Sequence, residues 1–198
     1  MNRLPQHRDA GQAFPIYITV VAGLLFLALA FLAVGQAAVN RSGAQTAADA
    51  AALAAAQERR DQLSDEWRAV LLDPTKWQDV FEGKASGDDC WRAEQLATKN
   101  DAELQACSPG PLKYQVTVET NKPVGDSIVP GTENTKSTES AKAVIEPLCD
   151  PPSEDAGKDA LPQLICKDRD WDLNPDDEAG LPGPDDLFDV HLATNDEG

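Results

Sequence analysis

The four cysteines are the residues whose spacing most clearly predicts chemistry. They are Cys90, Cys107, Cys149 and Cys166. Cys107 follows Cys90 by 17 positions, and Cys166 follows Cys149 by 17 positions. Four cysteines allow three disulfide pairings. Sequential pairing is favoured, because a turn predicted at residues 100–101 brings the chain back toward Cys90, whereas one straight helix would hold the first two sulfurs about 25 Å apart. The second pair encloses a Pro- and Gly-containing loop, and closing a loop of that size contributes about 3 kcal/mol.

A zinc site is the competing interpretation of the cysteines. No CxxC pair occurs, and His7 and His191 both lie far from the cysteines in the sequence. Structural zinc sites normally combine closely spaced ligands. The sequence therefore favours disulfides, which form in an oxidising compartment outside the cytoplasm.

Oxygen ligands recur at every second position in one acidic stretch. They are Asp168, Asp170, Asp172, Asn174 and Asp176. Such spacing suits Ca²⁺, but an EF-hand loop counted from Asp168 requires Gly at its sixth place and Glu at its twelfth. Leu173 and Ala179 stand there instead. The stretch is a weak calcium candidate, and the alternative is a solvated acidic loop.

Composition excludes several function classes. The chain of 198 residues has 34 acidic and 17 basic side chains, a net charge of −17, and residues 150–198 hold 15 of the acidic ones. A nucleic-acid-binding surface needs clustered Lys and Arg, so no nucleic-acid partner is expected. No GxSxG, P-loop or HExxH motif is present. We therefore expect a non-catalytic protein with no cofactor.

A long apolar run precedes this acidic body. Residues 10–40 contain no charged side chain, and residues 14–34 are almost wholly apolar. A bilayer core of about 30 Å is spanned by about 20 helical residues, which predicts a transmembrane helix in contact with membrane lipid. Arg3 and Arg8 before the run and Arg41 after it favour a cytoplasmic N-terminus and an extracytoplasmic body. The alternative is a cleaved signal peptide, whose apolar core is normally shorter.

Helix-forming residues continue beyond the apolar run. Residues 44–56 include nine alanines, and Ala has the highest helix propensity. We expect one helix from residue 14 to about residue 63 whose small side chains pack against neighbouring helices. The packing candidates are Ala47, Ala48, Asp49, Ala51 and Ala52. Asp49 either pairs across subunits or faces water, and an alanine tract with no partner is the alternative for the whole stretch.

The remaining residues predict an α+β body. Helical spacing covers residues 61–72 and 76–82, and Asp88 or Asp89 is expected to cap a third helix. Alternating patterns predict strands at 113–120, 140–146 and 186–193, with a weaker strand at 163–166. The predicted organisation is a cytoplasmic head at 1–12, a membrane helix at 13–39, an alanine-rich helical stalk at 40–72 and a disulfide-stapled, pilin-like domain with an antiparallel sheet and acidic loops at 73–198.

Two segments resemble a known family. The head RDAGQAF at residues 8–14, the apolar helix, and the run QTAADAAALAAA at residues 45–56 resemble the N-terminal region of bacterial Tad/Flp pilus-assembly proteins of the TadE/TadG-like type. The resemblance covers residues 8–60. Residues 90–107, CWRAEQLATKNDAELQAC, are similar to a helix–turn–strand piece of actinobacterial members, which also supports sequential cysteine pairing.

The resemblance implies a structural or accessory component of a Tad-type pilus or secretion machine in the cell membrane. Its partners would be other pilus-assembly proteins, contacted through the N-terminal helix. Processed pilins carry Gly at the cut, then Glu and Tyr five and six places later. Gly11 and Tyr17 fit this pattern, whereas Ile16 replaces Glu, which favours an unprocessed TadG-like anchor. The alternatives are a membrane-tethered binding or sensor module and a secreted calcium-binding or hydrolytic protein.

Overall fold

The computed structural model describes residues 13–84, 87, 89–123, 134–152 and 161–193. In these residues the helices are α1 (Ala13–Ala69), α2 (Trp77–Phe81), α3 (Cys90–Lys99) and α4 (Pro184–Leu187), with 3-10 turns at Pro74–Lys76 and Glu178–Gly180. The strands are β1 (Ala102–Gly110), β2 (Lys113–Thr120), β3 (Thr138–Pro147), β4 (Cys149–Asp150), β5 (Ile165–Cys166) and β6 (Phe188–Leu192). The predicted α+β class is confirmed.

Helix α1 runs without interruption for 57 residues, about 85 Å at 1.5 Å per residue. It includes most of the helix that the sequence predicted separately at 61–72. Leu63 and Trp67 continue the apolar spacing of the alanine tract and are fully buried, so nothing breaks the helix between the two segments. The chain turns after Ala69, and Pro74 at the first position of the following 3-10 turn starts a new direction.

Within the described residues, the main sheet has four antiparallel strands in the order β1-β2-β3-β6. Asp101, with a φ of 55°, turns the chain from α3 into β1. Strands β1 and β2 then form a tight hairpin closed by Gly110 and Lys113. The predicted hairpin of β2 with β3 is present, with Val116 opposite Ala141.

The last predicted strand begins two residues later than the alternation indicated. Residues 186–187 belong to α4, because Pro184 occupies the first helical turn and the Asp186 carboxylate accepts a hydrogen bond of 2.8 Å from the Gly183 amide. The weaker strand is shorter than predicted. Its residues 165–166 form β5, which pairs with β4 in a separate two-stranded ladder.

One face of the main sheet packs against the second half of α1. Tyr114, Val116 and Val118 alternate toward this core from β2, and Ala143 and Ile145 do so from β3. The side chains that this half of α1 contributes to the core are small and fully buried: Ala44, Ala47, Ala48, Ala51, Ala52, Ala55 and Ala56. Side chains of this size let the helix backbone lie close to the sheet without voids.

This packing changes the interpretation of the predicted stalk at 40–72. From Ala44 onward the helix is a core element of the α+β body and contacts β2, β3, β6 and α3. The packing candidates Ala47, Ala48, Ala51 and Ala52 are fully buried against the chain's own residues. They pack against elements of the same chain, among them the sheet and α3. The sequence could not distinguish the two uses, because a stripe of small residues is the same for both.

Candidate membrane and assembly surface

The first half of α1 exposes large apolar side chains on all sides. Phe31 is 82% exposed and Phe26 is 71% exposed. The others are Phe14, Ile16, Tyr17, Ile18, Val20, Leu24, Leu25, Leu27, Leu29, Leu32, Val34 and Val39. We call residues 14–39 the apolar segment. A soluble monomer rarely exposes so much contiguous apolar surface, so this segment requires lipid or protein around it.

Length and hydropathy agree with this requirement. The helix is long and apolar enough to cross a membrane, and its most apolar stretch is not buried by the described residues. The apolar segment itself measures about 39 Å along the axis, more than the roughly 30 Å of a bilayer core. Tyr17 lies near its start, where an aromatic side chain suits the membrane interface. Gly11, the other residue of the predicted processing motif, lies outside the described residues.

Polar contacts fix the end of the apolar segment to the sheet. The Asn40 side chain donates to the Lys122 carbonyl at 3.0 Å and accepts from the Thr120 hydroxyl at 3.3 Å. Arg41 Nε lies 2.7 Å from the Glu139 carboxylate. Asn40 and Arg41 are the first strongly polar residues after the apolar run, so the polar contacts with the sheet begin where the apolar segment ends.

A cleft of about 540 Å³ lies at this junction. Its lining is mostly apolar helix surface, with the loop after β2 on the other side: Phe31, Leu32, Gly35, Gln36, Val39, Asn40, Lys122 and Pro123. The Lys122 ammonium lies 3.4 Å from Asp101, and its side chain is largely exposed. The junction thus combines an apolar wall with a cation at its rim, as expected at a membrane interface.

Asp49, a predicted packing residue, lies at the edge of the buried stripe. Its carboxylate accepts a hydrogen bond of 2.8 Å from the Gln45 side chain, one turn earlier on the same helix. The side chain is partly buried. This contact gives Asp49 a partner within α1, and the suggested pairing of Asp49 across subunits stays a prediction.

A buried polar cluster, which the sequence did not reveal, holds the second half of α1 to the sheet. Asp89 is fully buried and accepts from the Tyr114 hydroxyl on β2 and from the Gln62 amide on α1, both at 2.5 Å. The Arg59 guanidinium lies 3.9 Å from the same carboxylate and donates to the Gly83 carbonyl at 3.2 Å. The cluster thus connects α1, β2 and the residue before α3 through buried polar contacts.

Asp89 occupies the N-cap position of α3, as predicted, and the other capping candidate, Asp88, lies outside the described residues. Asp89 precedes α3, but its side chain makes no capping hydrogen bond, because Tyr114 and Gln62 occupy it instead. A signal for the cluster was nevertheless present in the sequence. Arg59 falls four residues before Leu63 and four after Ala55, on the buried stripe of the helix, where a charge requires a partner.

The disulfides connect neighbouring elements of the body. Cys90 bonds to Cys107 and joins the start of α3 to β1, and Cys149 bonds to Cys166 and joins β4 to β5. No cysteine is free. The cysteines are therefore paired in sequential order. Both bonds close loops within the acidic half of the chain, away from the apolar segment.

The acidic stretch from Asp168 to Asp176 lies exposed on the surface. Asp172 accepts from the Gln163 side chain at 3.0 Å, and Asn174 accepts from the Asp176 amide at 3.0 Å, as in a turn. Within the described residues, its carboxylates do not form a group close enough to hold a metal ion. Glu146, Asp189 and His191 do form such a group.

Lys167 lies beside that group and contacts the Glu146 carboxylate. This hydrogen bond raises the pKa of the Lys167 ammonium above its ordinary value, and the nearby charges of Glu146, Asp189 and Asp150 act in the same direction. Three carboxylates, those of Glu146, Asp189 and Asp150, thus act on this one ammonium.

Part of the chain is similar to a known protein family. Searches of curated proteins and of solved structures found no match to the chain. A family model does match part of the chain. This match covers the apolar segment and the buried alanine stripe, and the residues after 58 lie outside it. Residues 11–58 match the family described as putative Flp pilus-assembly TadE/G-like, which confirms the resemblance seen in the sequence.

Proposed function

We propose that this protein is a non-catalytic, single-pass membrane component of a Tad/Flp-type pilus-assembly or secretion system. The match of residues 11–58 to the TadE/G-like family carries the proposal. In this arrangement the apolar segment lies in the membrane, the N-terminus is cytoplasmic, and the disulfide-containing body lies outside. The protein acts through contacts with other pilus-assembly proteins and not through a reaction.

The difference in burial between the two parts of α1 supports this proposal. The apolar segment is exposed on all sides and lacks cover from the described residues, whereas the helix from Ala44 onward is buried in the body. Asn40 and Arg41 hold the two parts in register through contacts with Lys122 and Glu139. A force or contact applied to the apolar segment is therefore passed directly to the core of the outer body.

Membrane insertion is tested by fractionation of cells that express the full chain. An Arg near the centre of a membrane helix costs about 2.5–3.5 kcal/mol, so we expect a Leu25→Arg, Leu29→Arg double variant to leave the alkali-resistant membrane fraction. The matched control is Leu72→Arg, because Leu72 is 74% exposed but belongs to the body. Retention of the double variant in the membrane, or equal loss of Leu72→Arg, would contradict the proposal.

Topology is tested through the native cysteines. If the body lies outside the cytoplasm, all four thiols are oxidised in cells and resist alkylation until a reductant is added. The control is a chain that starts at residue 40, lacks the apolar segment and remains in the cytoplasm. Its thiols should be alkylated without reductant. Alkylation of the full chain in unreduced cells would place the body in the cytoplasm.

The assembly role is tested by photocrosslinking at single positions in cells that build the pilus. A crosslinker in place of Phe31, within the apolar segment, is expected to trap a pilus-assembly protein. The same crosslinker in place of Leu72 gives an equally exposed control outside the segment. Crosslinks from position 72 and none from position 31 would reject the apolar segment as the assembly surface.

A further inference from the structure

We propose that Glu146, Asp189 and His191 form a binding site for a divalent transition-metal ion of the zinc class on the outer face of the sheet. The three side chains each offer one ligand atom, and these atoms lie within 4.8 Å of one another. The group joins β3 to β6, two strands that are adjacent in the sheet and about 40 residues apart in the chain. This site is independent of the pilus role proposed above.

The strand register brings the three ligands together. Glu146 lies directly opposite Asp189, and His191 lies opposite Val144, two residues along on the same face. Ile145 and Phe188 next to them are buried, so alternation directs the three ligand side chains away from the core. His191 Nδ1 is already 3.1 Å from an Asp189 carboxylate oxygen. A tetrahedral zinc ion holds ligands about 3.4 Å apart, a distance that partly exposed side chains reach by small rotations.

Two carboxylates that face each other across the strands supply the negative charge for a cation at this position. Like charges directly opposite each other on paired strands are destabilising, and Glu146 and Asp189 are such a pair. Lys167 offsets part of this repulsion through Glu146 Oε1. A carboxylate has two oxygens, so Glu146 retains a ligand atom beside that contact. A divalent ion between the two carboxylates would remove the remaining repulsion.

The donor set selects the class of ion. Imidazole nitrogen is a ligand of zinc, copper, iron and nickel, whereas calcium takes oxygen ligands from a larger shell. One imidazole and two carboxylates leave a fourth position that faces solvent, as in three-ligand zinc sites. Strand β6 is paired on one side alone within the described residues, so a bound ion would fasten this edge strand to β3.

The test uses the full chain in detergent, freed of metal with a chelator and titrated with zinc chloride by calorimetry. We expect one saturable zinc ion per chain and a rise in melting temperature on binding. His191→Ala, and separately the isosteric Asp189→Asn and Glu146→Gln, should weaken zinc binding by more than about tenfold.

Two control variants separate this site from other sources of binding. His7→Ala removes the other histidine of the chain, and Glu119→Gln removes a carboxylate from β2 outside the group. Both should bind zinc as the unchanged protein does. Absence of saturable binding, full affinity in His191→Ala, or loss of binding in His7→Ala would each overturn the proposal. Circular dichroism of the three site variants and the two control variants verifies that they are folded.

Discussion

The two halves of α1 have opposite relations to the rest of the molecule. Before Asn40 the helix carries Phe and Leu side chains that are mostly more than half exposed, with Phe31 at 82%. After Gly43 it carries a stripe of alanines that are fully buried against the sheet and α3. Along residues 14–56 the large apolar side chains are thus mostly exposed and the fully buried ones are alanines, the reverse of what hydrophobicity alone would give.

This inversion indicates what each half is built to contact. The buried half needs close approach to a sheet, and alanine permits it. The exposed half has large apolar side chains that the described residues do not cover. Such side chains suit a lipid phase or other helices. The free energy of folding of the body should therefore depend on the second half of α1 and very little on the first.

The largest expected effect comes from Trp67, which is fully buried and lies 5.4 Å from the ring of Trp77. Trp67→Ala removes this packing and leaves a cavity, so we expect it to lower the free energy of unfolding by about 3–5 kcal/mol. The comparison variant is Phe31→Ala, which should change it by less than about 0.5 kcal/mol. Urea titration of the detergent-solubilised chain, followed by circular dichroism, measures both. Similar losses in the two variants would mean that the apolar segment is part of the folded core.

The next effect concerns the Cys90–Cys107 bond between α3 and β1. In the chain-entropy model, replacing both cysteines by alanine removes about 3 kcal/mol for a loop of this length. The Cys149–Cys166 bond closes a loop of equal sequence separation, so replacing both of these cysteines by alanine should cost a similar amount. Urea titration gives the stabilities, and mass analysis of non-reduced peptides checks the pairing. A Cys90–Cys149 peptide would contradict the sequential arrangement.

A matched pair of alanines tests the close approach of helix and sheet. Ala51 is fully buried, and Ala51→Leu should destabilise the body by about 1–3 kcal/mol because the packed interface has no space for the added carbons. Ala30 lies exposed in the apolar segment, so Ala30→Leu should leave the urea midpoint unchanged. A neutral Ala51→Leu would show that the helix does not approach the sheet as closely as the structure indicates.

The sequence predicted those features that depend on local pattern. The long helix, the strands β2 and β3 and the sequential cysteine pairs follow from propensity, alternation and a turn signal at residues 100–101. The features that were missed depend on contacts between distant residues. Asp89 meets Gln62 and Tyr114 through the packing of three elements, and Glu146 meets Asp189 through the register of β3 with β6. Neither the partner nor the register is encoded in a short stretch of sequence.

The smallest expected effect concerns Gly43, which lies between the two halves of α1. A Cβ added there meets no atom within 4 Å, and glycine within a helix costs about 0.5–1 kcal/mol relative to alanine, so Gly43→Ala should raise the free energy of unfolding by that amount. The control is Gly83→Ala, which should destabilise, because Gly83 has a φ of +73° and its Cβ would lie 2.2 Å from the Pro111 carbonyl. Urea titration measures both variants. A Gly43→Ala variant that gains no stability would mean that the helix is not continuous across this residue. The exposed and buried halves would then be separate elements, and contacts made by the apolar segment would not be passed rigidly to the body.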